Sequence, residues 1–113
     1  MPHTLDSALE DPDITVLQRD DHLGFFEVRV GGLNPVVTID LARALGSNET
    51  KFDRSHNIKT PVQSGPYISS RLFWDDPAYA LHQAISGLTS HYRAAVKAGH
   101  IPNDSWLMRR GEY

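Results

Sequence analysis

Residues able to carry chemistry gather between positions 46 and 74, in "GSNETKFDRSHNIKTPVQSGPYISSRLFW". Within it, Asp53, Ser55 and His56 supply a carboxylate, a hydroxyl and an imidazole. Nucleophilic catalysis would need the imidazole in reach of the hydroxyl and a third group to orient it. Adjacency in sequence supplies neither, and no Gly-x-Ser-x-Gly elbow is present, so "DRSHN" reads as a turn with an Asx-type bond. No catalytic residue is assigned.

The same stretch suits anions better. "SGPYISSR" offers glycine amides, the hydroxyls of Ser64, Ser69 and Ser70, and Arg71, with Arg54, His56 and Lys59 close in sequence. Backbone amides and arginine forks hold phosphate or carboxylate, although the Lys-Ser/Thr signature of a nucleotide cradle is missing. Tyr67 and Trp74 add flat aromatic surface of the kind enriched at binding hot spots, whereas Phe73 is expected in the core. Arg54, His56, Tyr67, Arg71 and Trp74 are therefore the candidate contacts for a protein partner or a small anionic ligand.

Six histidines raise the question of a metal. Helical zinc pairs need ligands one turn apart. His82 and His91 stand about 180° apart on a helical wheel, so no metal ligands and no cofactor are assigned. Asp20-Asp21 and Asp75-Asp76 occupy a turn and a helix start, where aspartate serves the backbone.

The elements that must position these groups are most legible at the C-terminal side. Asp76 as cap, Pro77 at the first position and Gly99 as stop predict a helix over 77–98, about 33 Å long. Ala78, Leu81, Ala84, Ile85, Leu88, Tyr92, Ala95 and Val96 form its sheet-facing side. Beside them Ala80, Ala84, Gly87, His91, Ala94 and Ala98 make a seam of mostly small residues. Gly87 costs about 1 kcal/mol relative to Ala inside a helix, so close packing is expected there, either within the chain or against a second copy across a two-fold axis. His82, Ser86, Thr89, Arg93 and Lys97 form the polar side, expected to face solvent.

"ITVLQRDDHLGFFEVRV" predicts a β-hairpin. Val36 to Ile39 predict a third strand, followed by a short helix near 40–45 capped by Asp40; a single helix from Pro35 to Gly46 is the alternative. Residues 46–70 show no periodicity and read as a long loop. Trp106, Leu107 and Met108 are expected back at the core. Residues 1–12 read as a flexible acidic arm and 13–113 as one α+β domain, with a small antiparallel sheet of about three strands packed against the long C-terminal helix.

Composition narrows the function. The 113-residue chain carries a net charge of -3 and no cysteine, which removes disulfides and thiol nucleophiles and makes nucleic acid an unexpected partner. With no long apolar run and no leader, a soluble, cytoplasmic protein is expected. The expected role is a non-enzymatic binding or interaction module acting through the 46–74 loop as a homodimer. The alternative is a small enzyme or ligand carrier with a pocket between that loop and the helix, using His56 or His82 as acid or base. An enclosed pocket in which one histidine touches both a carboxylate and a hydroxyl would favour the enzyme, an exposed aromatic patch with no enclosed volume the module.

Overall fold

A computed structural model describes residues 4–43, 45–47, 49–65 and 73–109. Its elements are α1 (Leu5–Leu9), β1 (Ile14–Asp20), β2 (Phe25–Val30), β3 (Val37–Arg43), β4 (Thr50–Arg54), β5 (His56–Ile58), α2 (Pro77–Lys97), a 3₁₀ turn (Asp104–Trp106) and β6 (Leu107–Arg109). β1 to β4 form an antiparallel sheet in chain order, and β5 pairs with β6 in a second, two-stranded sheet. The class is α+β, with a four-stranded sheet where about three strands were expected.

Pairing register decides which side chains meet α2, because residues directly opposite share a face of the sheet. Val28 stands opposite Val37, Phe26 opposite Ile39, Ile39 opposite Arg54, and Leu41 opposite Phe52. These make the inner face, and Phe26, Val28, Val37 and Ile39 are fully buried. Glu27 opposite Thr38, Asp40 opposite Asp53 and Ala42 opposite Lys51 make the outer one. The β1–β2 hairpin is the expected one. Its turn closes through Gly24 at φ +71°, whose carbonyl accepts the Leu41 N–H at 2.8 Å. A Cβ at Gly24 would stand 3.1 Å from the Leu41 backbone oxygen, so the close approach and the backbone angle both call for glycine.

The short helix expected near 40–45 is replaced by the second half of β3. Val37, Ile39 and Leu41 alternate with Thr38, Asp40 and Ala42 in one unbroken period of two, and Leu41, Ala42 and Arg43 pair with Phe52, Lys51 and Thr50. That partner strand lies inside the expected 46–70 loop, which holds both β4 and β5. β4 escapes a hydrophobic reading because two of its inward residues, Thr50 and Arg54, are polar, yet both are buried. Phe73, expected in the core, is 43% exposed. Its neighbour Trp74 takes the inward position and exchanges two backbone hydrogen bonds with Thr50, each 2.9 Å, leaving Phe73 to alternate outward.

α2 follows its sequence signals. Asp76 accepts the Tyr79 N–H at 2.8 Å, Pro77 opens the helix, and Gly99 at φ +93° ends it after the Ala98 cap. Leu81, Ala84, Ile85, Leu88, Tyr92 and Ala95 are buried, whereas Val96, assigned to the same face, is 42% exposed because it sits in the last turn. Tyr92 packs edge-on to Trp106, and its hydroxyl accepts the Gly32 N–H at 3.2 Å. Trp106 and Leu107 return to the core as expected. Among the described residues no helix is long and apolar enough to cross a membrane.

The N-terminal segment differs from a flexible arm. Thr4 and Ser7 form a reciprocal capping box for α1, and the i, i+3, i+4 spacing of Leu5, Ala8 and Leu9 turns them onto the core, where Ala8 and Leu9 are buried. The link to β1 is pinned on the polar side of α2. Thr89 donates to Asp11 at 2.8 Å, and Arg93 donates to Asp11 at 2.9 Å and to Asp13 at 2.8 Å. Thr89 is fully buried there, so this helix side is partly covered where a solvated one was expected.

Burial alone would push the Asp11 carboxyl up, but the Asp13 N–H, the Thr89 hydroxyl and the Arg93 guanidinium outweigh it and hold the group below its ordinary value. Asp11→Ala is expected to cost about 1–3 kcal/mol of unfolding free energy in urea titrations near neutral pH. A lowered folded pKa gives stability that is present above the unfolded value and is lost as pH falls through the folded one. The gap between wild type and variant therefore closes in acid; a gap independent of pH would mean that ionisation of Asp11 contributes nothing.

Candidate functional site

Arg54 ends β4 at an inward position, so its side chain enters the layer between sheet and helix. One guanidinium nitrogen donates to the Ala84 carbonyl in the middle of α2 at 2.7 Å, another to Asn57 Oδ1 at 2.9 Å. The guanidinium lies 4.9 Å from the Phe52 ring centroid, and Phe52 stacks on Trp74 at 4.8 Å. Arg54 is 6% exposed and Trp74 5%. Two of the residues expected to touch a partner are thus enclosed by their own chain.

This arrangement accounts for half of the seam. Ala80, Ala84 and Gly87 are buried, and their small size keeps the helix backbone within reach of the arginine. His91 is half-buried, and burial, then the nearby Arg54 charge, lowers its pKa, favouring the neutral ring. Ala94 and Ala98 are exposed. The seam is therefore an intrachain contact at its start and an open helix face at its end.

Ser55 and His56 do meet, with Ser55 Oγ 2.8 Å from His56 Nδ1. The same hydroxyl accepts the Thr38 N–H at 2.9 Å, and the Ser55 N–H donates to the Thr38 carbonyl at 3.0 Å. Ser55 thereby fixes the bend where β4 gives way to β5, a structural task for a hydroxyl. Tyr67 and Arg71 lie outside the described residues.

His82 lies on the side of α2 that meets α1. It lines an open recess of about 180 Å³ with Ser7, Glu10, Asp11 and Ser86, smaller than the roughly 300–1,000 Å³ of small-molecule sites. Among the described residues no group of three or more His, Asp or Glu side chains is placed to hold a metal ion.

A different surface emerges from the topology. In an up-and-down sheet the β1–β2 and β3–β4 turns lie at the same end, and Pro77 brings the start of α2 there. Leu23, Arg43 and Pro77 line one open recess of about 280 Å³, with His22 on its wall and Leu5 and Leu41 among its apolar lining. Leu23 is 71% exposed, Leu45 in the β3–β4 turn is fully exposed, and Phe73, next to the Trp74 bridge on β4, shares this end. Carboxylates also lie on this side: Asp20 ends β1, Asp21 follows in the first turn, Asp40 and Asp53 stand opposite each other on the outer face with the Ala42–Lys51 pair between them and the β3–β4 turn, and Asp75 precedes α2. Among the described residues Arg19, Arg43 and Lys51 are cations of this end, and Arg19 is engaged by Asp21 at 2.6 Å and Asp6 at 3.0 Å. The signal for this surface was present in the sequence as leucines inside turn segments, "DDHLG" and "ALGSN", where polar residues are the norm.

No protein-family model matches this chain, and neither the characterised proteins nor the solved structures compared with it show a significant match.

Arg54→Ala is expected to lower the unfolding free energy by about 2–4 kcal/mol, since it leaves Asn57 Oδ1 without that donor and a void beside Phe52. Denaturant titration at constant slope reads the change directly; an unaltered midpoint would free the guanidinium for a ligand role.

Proposed function

We propose that this chain is a non-enzymatic interaction module, working in the cytoplasm, that engages a protein partner through the end of the sheet where the β1–β2 turn, the β3–β4 turn and Phe73 meet. One observation carries the reading: Leu23, Leu45 and Phe73 come from three separate segments and stand exposed at the same end. Single exposed apolar residues are ordinary on any surface, but three at one end of the sheet, with Leu23 on an open recess, have the make-up of a binding surface. The surface keeps the two ends of the 46–74 segment and adds the first hairpin turn; Arg54 and Trp74 belong to its support.

Selection from a random peptide library tests this. The wild-type protein is expected to enrich sequences with a common apolar anchor. Leu23→Asp/Leu45→Asp is expected to weaken those peptides by about 30-fold or more with melting unchanged, because neither residue supports the core. Failure to enrich a common sequence, or full binding by the double variant, would remove the reading.

A homodimer is the second reading, favoured by the open half of the α2 seam, where Ala94 and Ala98 stand exposed with Val96 and Ile101 nearby. Sedimentation equilibrium is expected to give a dimer for the wild type and a monomer of unchanged melting temperature for Ala94→Glu/Ala98→Glu. A wild-type monomer at the highest attainable concentration would leave the helix face to solvent.

A further inference from the structure

We infer that α1 is a releasable strap at this end of the fold, and that an apolar partner segment takes the place α1 holds at rest; the second half rests on the interaction reading above. With 5 residues, α1 is well below the length of about 12–15 residues under which an isolated helix is marginal in water. Its position is therefore set by what it touches. Leu5 is half-buried and lines the recess of about 280 Å³ with Leu23, Leu41 and Pro77. Ser7, Ala8 and Glu10 line the recess of about 180 Å³ with Ile85 of α2. A helix bordered by two open recesses lacks contact atoms there, so it is seated less firmly than a close-packed one.

Two ion pairs tether the strap, and its release strands neither cation. Arg19 binds Asp6 of α1 at 3.0 Å and also Asp21 of the first turn at 2.6 Å. Arg93 binds Asp11, just beyond α1, at 2.9 Å and also Asp13 at 2.8 Å. Asp13 stays with the sheet, since its carbonyl accepts the Gly31 N–H at 2.7 Å. When α1 swings away on the segment between Leu9 and Pro12, each arginine keeps one carboxylate, while Asp6 and Asp11 pass into water. The bond without a stand-in runs from the Thr89 hydroxyl to Asp11 at 2.8 Å, and it favours the closed strap. α1 also specifies its replacement. Its apolar residues Leu5, Ala8 and Leu9 stand at i, i+3 and i+4, so the fitting partner is a short amphipathic helical segment of the same spacing.

Thiol labelling tests both halves. The chain has no cysteine, so Ala8→Cys puts a single thiol on the buried side of α1 and Val28→Cys a single thiol in the middle of β2, where Val28 is fully buried. Under native conditions Ala8→Cys is expected to react about tenfold faster or more, because the strap opens without the rest of the fold. Adding Asp6→Asn is expected to speed Ala8→Cys by up to about fivefold and to leave Val28→Cys unchanged. Peptides enriched on the wild-type protein are expected to carry apolar residues three or four positions apart and, at saturation, to accelerate Ala8→Cys labelling. Amide hydrogen exchange at Ala8 and Val28 repeats the comparison in the unsubstituted chain.

Equal rates at the two positions mean that α1 opens only with global unfolding; they overturn the strap and leave the interaction reading standing. Peptides that slow Ala8→Cys labelling bind beside a closed α1 and use it as a wall, which overturns the replacement and again leaves the interaction reading standing. Peptides bound equally well by Leu23→Asp/Leu45→Asp, or no enriched peptide at all, overturn the interaction reading and the replacement with it, whatever the labelling rates of the free protein.

Discussion

The Arg54 guanidinium lies in the layer between the sheet and α2, and the packing of that layer follows from its presence. A cation in a core must find acceptors, because an unpartnered charge in a low-dielectric interior is far costlier than a hydrogen-bonded one. Arg54 uses the Ala84 carbonyl and Asn57, and its flat face lies over Phe52. A mid-helix carbonyl already serves its own helix, but it has a second lone pair and can be approached where adjacent side chains are small. Ala80, Ala84 and Gly87 meet that condition. Part of the seam in the sequence is thus the helix's complement to one buried arginine.

The same helix is contacted on a second flank by a different device. Where Arg54 reaches α2 from β4, Asp11 and Asp13 reach it from the N-terminal side through Thr89 and Arg93. Charge lies at the sheet edge too. β1 is irregular at Leu17 and carries Arg19 at an inward position opposite Phe26. A bulge and an inward charge both make a strand a poor template for a further strand. That is consistent with an interaction surface placed on the turns at the end of the sheet, away from its β1 edge.

Legibility in the sequence followed the clarity of local signals. The caps and apolar period of α2, the first hairpin and the return of Trp106 could all be read because each element's chemistry agreed with its period. β4 could not be read, since Arg54 and Thr50 occupy core positions and break the hydrophobic alternation. Missing β4 also cost the second half of β3, where Leu-Ala-Arg resembles a helix until its partner strand is known. α1 was hidden by its shortness and by the acidic residues around it, although the Thr4 and Ser7 cap and the spacing of Leu5, Ala8 and Leu9 were present.

The candidate site was less legible than the fold for a related reason. Arginine, tryptophan, histidine and serine attract attention as binding or catalytic groups, yet a small protein also needs them to satisfy its own backbone and fill its own core. Arg54, Trp74 and Ser55 are occupied in that way. Leucine in a turn draws no such attention, because one exposed apolar side chain is unremarkable in any globular protein. Its meaning depends on what stands beside it, and only the antiparallel order of β1 to β4 brings Leu23 and Leu45 to the same end. A contact surface made of ordinary residues is therefore a property of topology, and it becomes visible when the strand order is known.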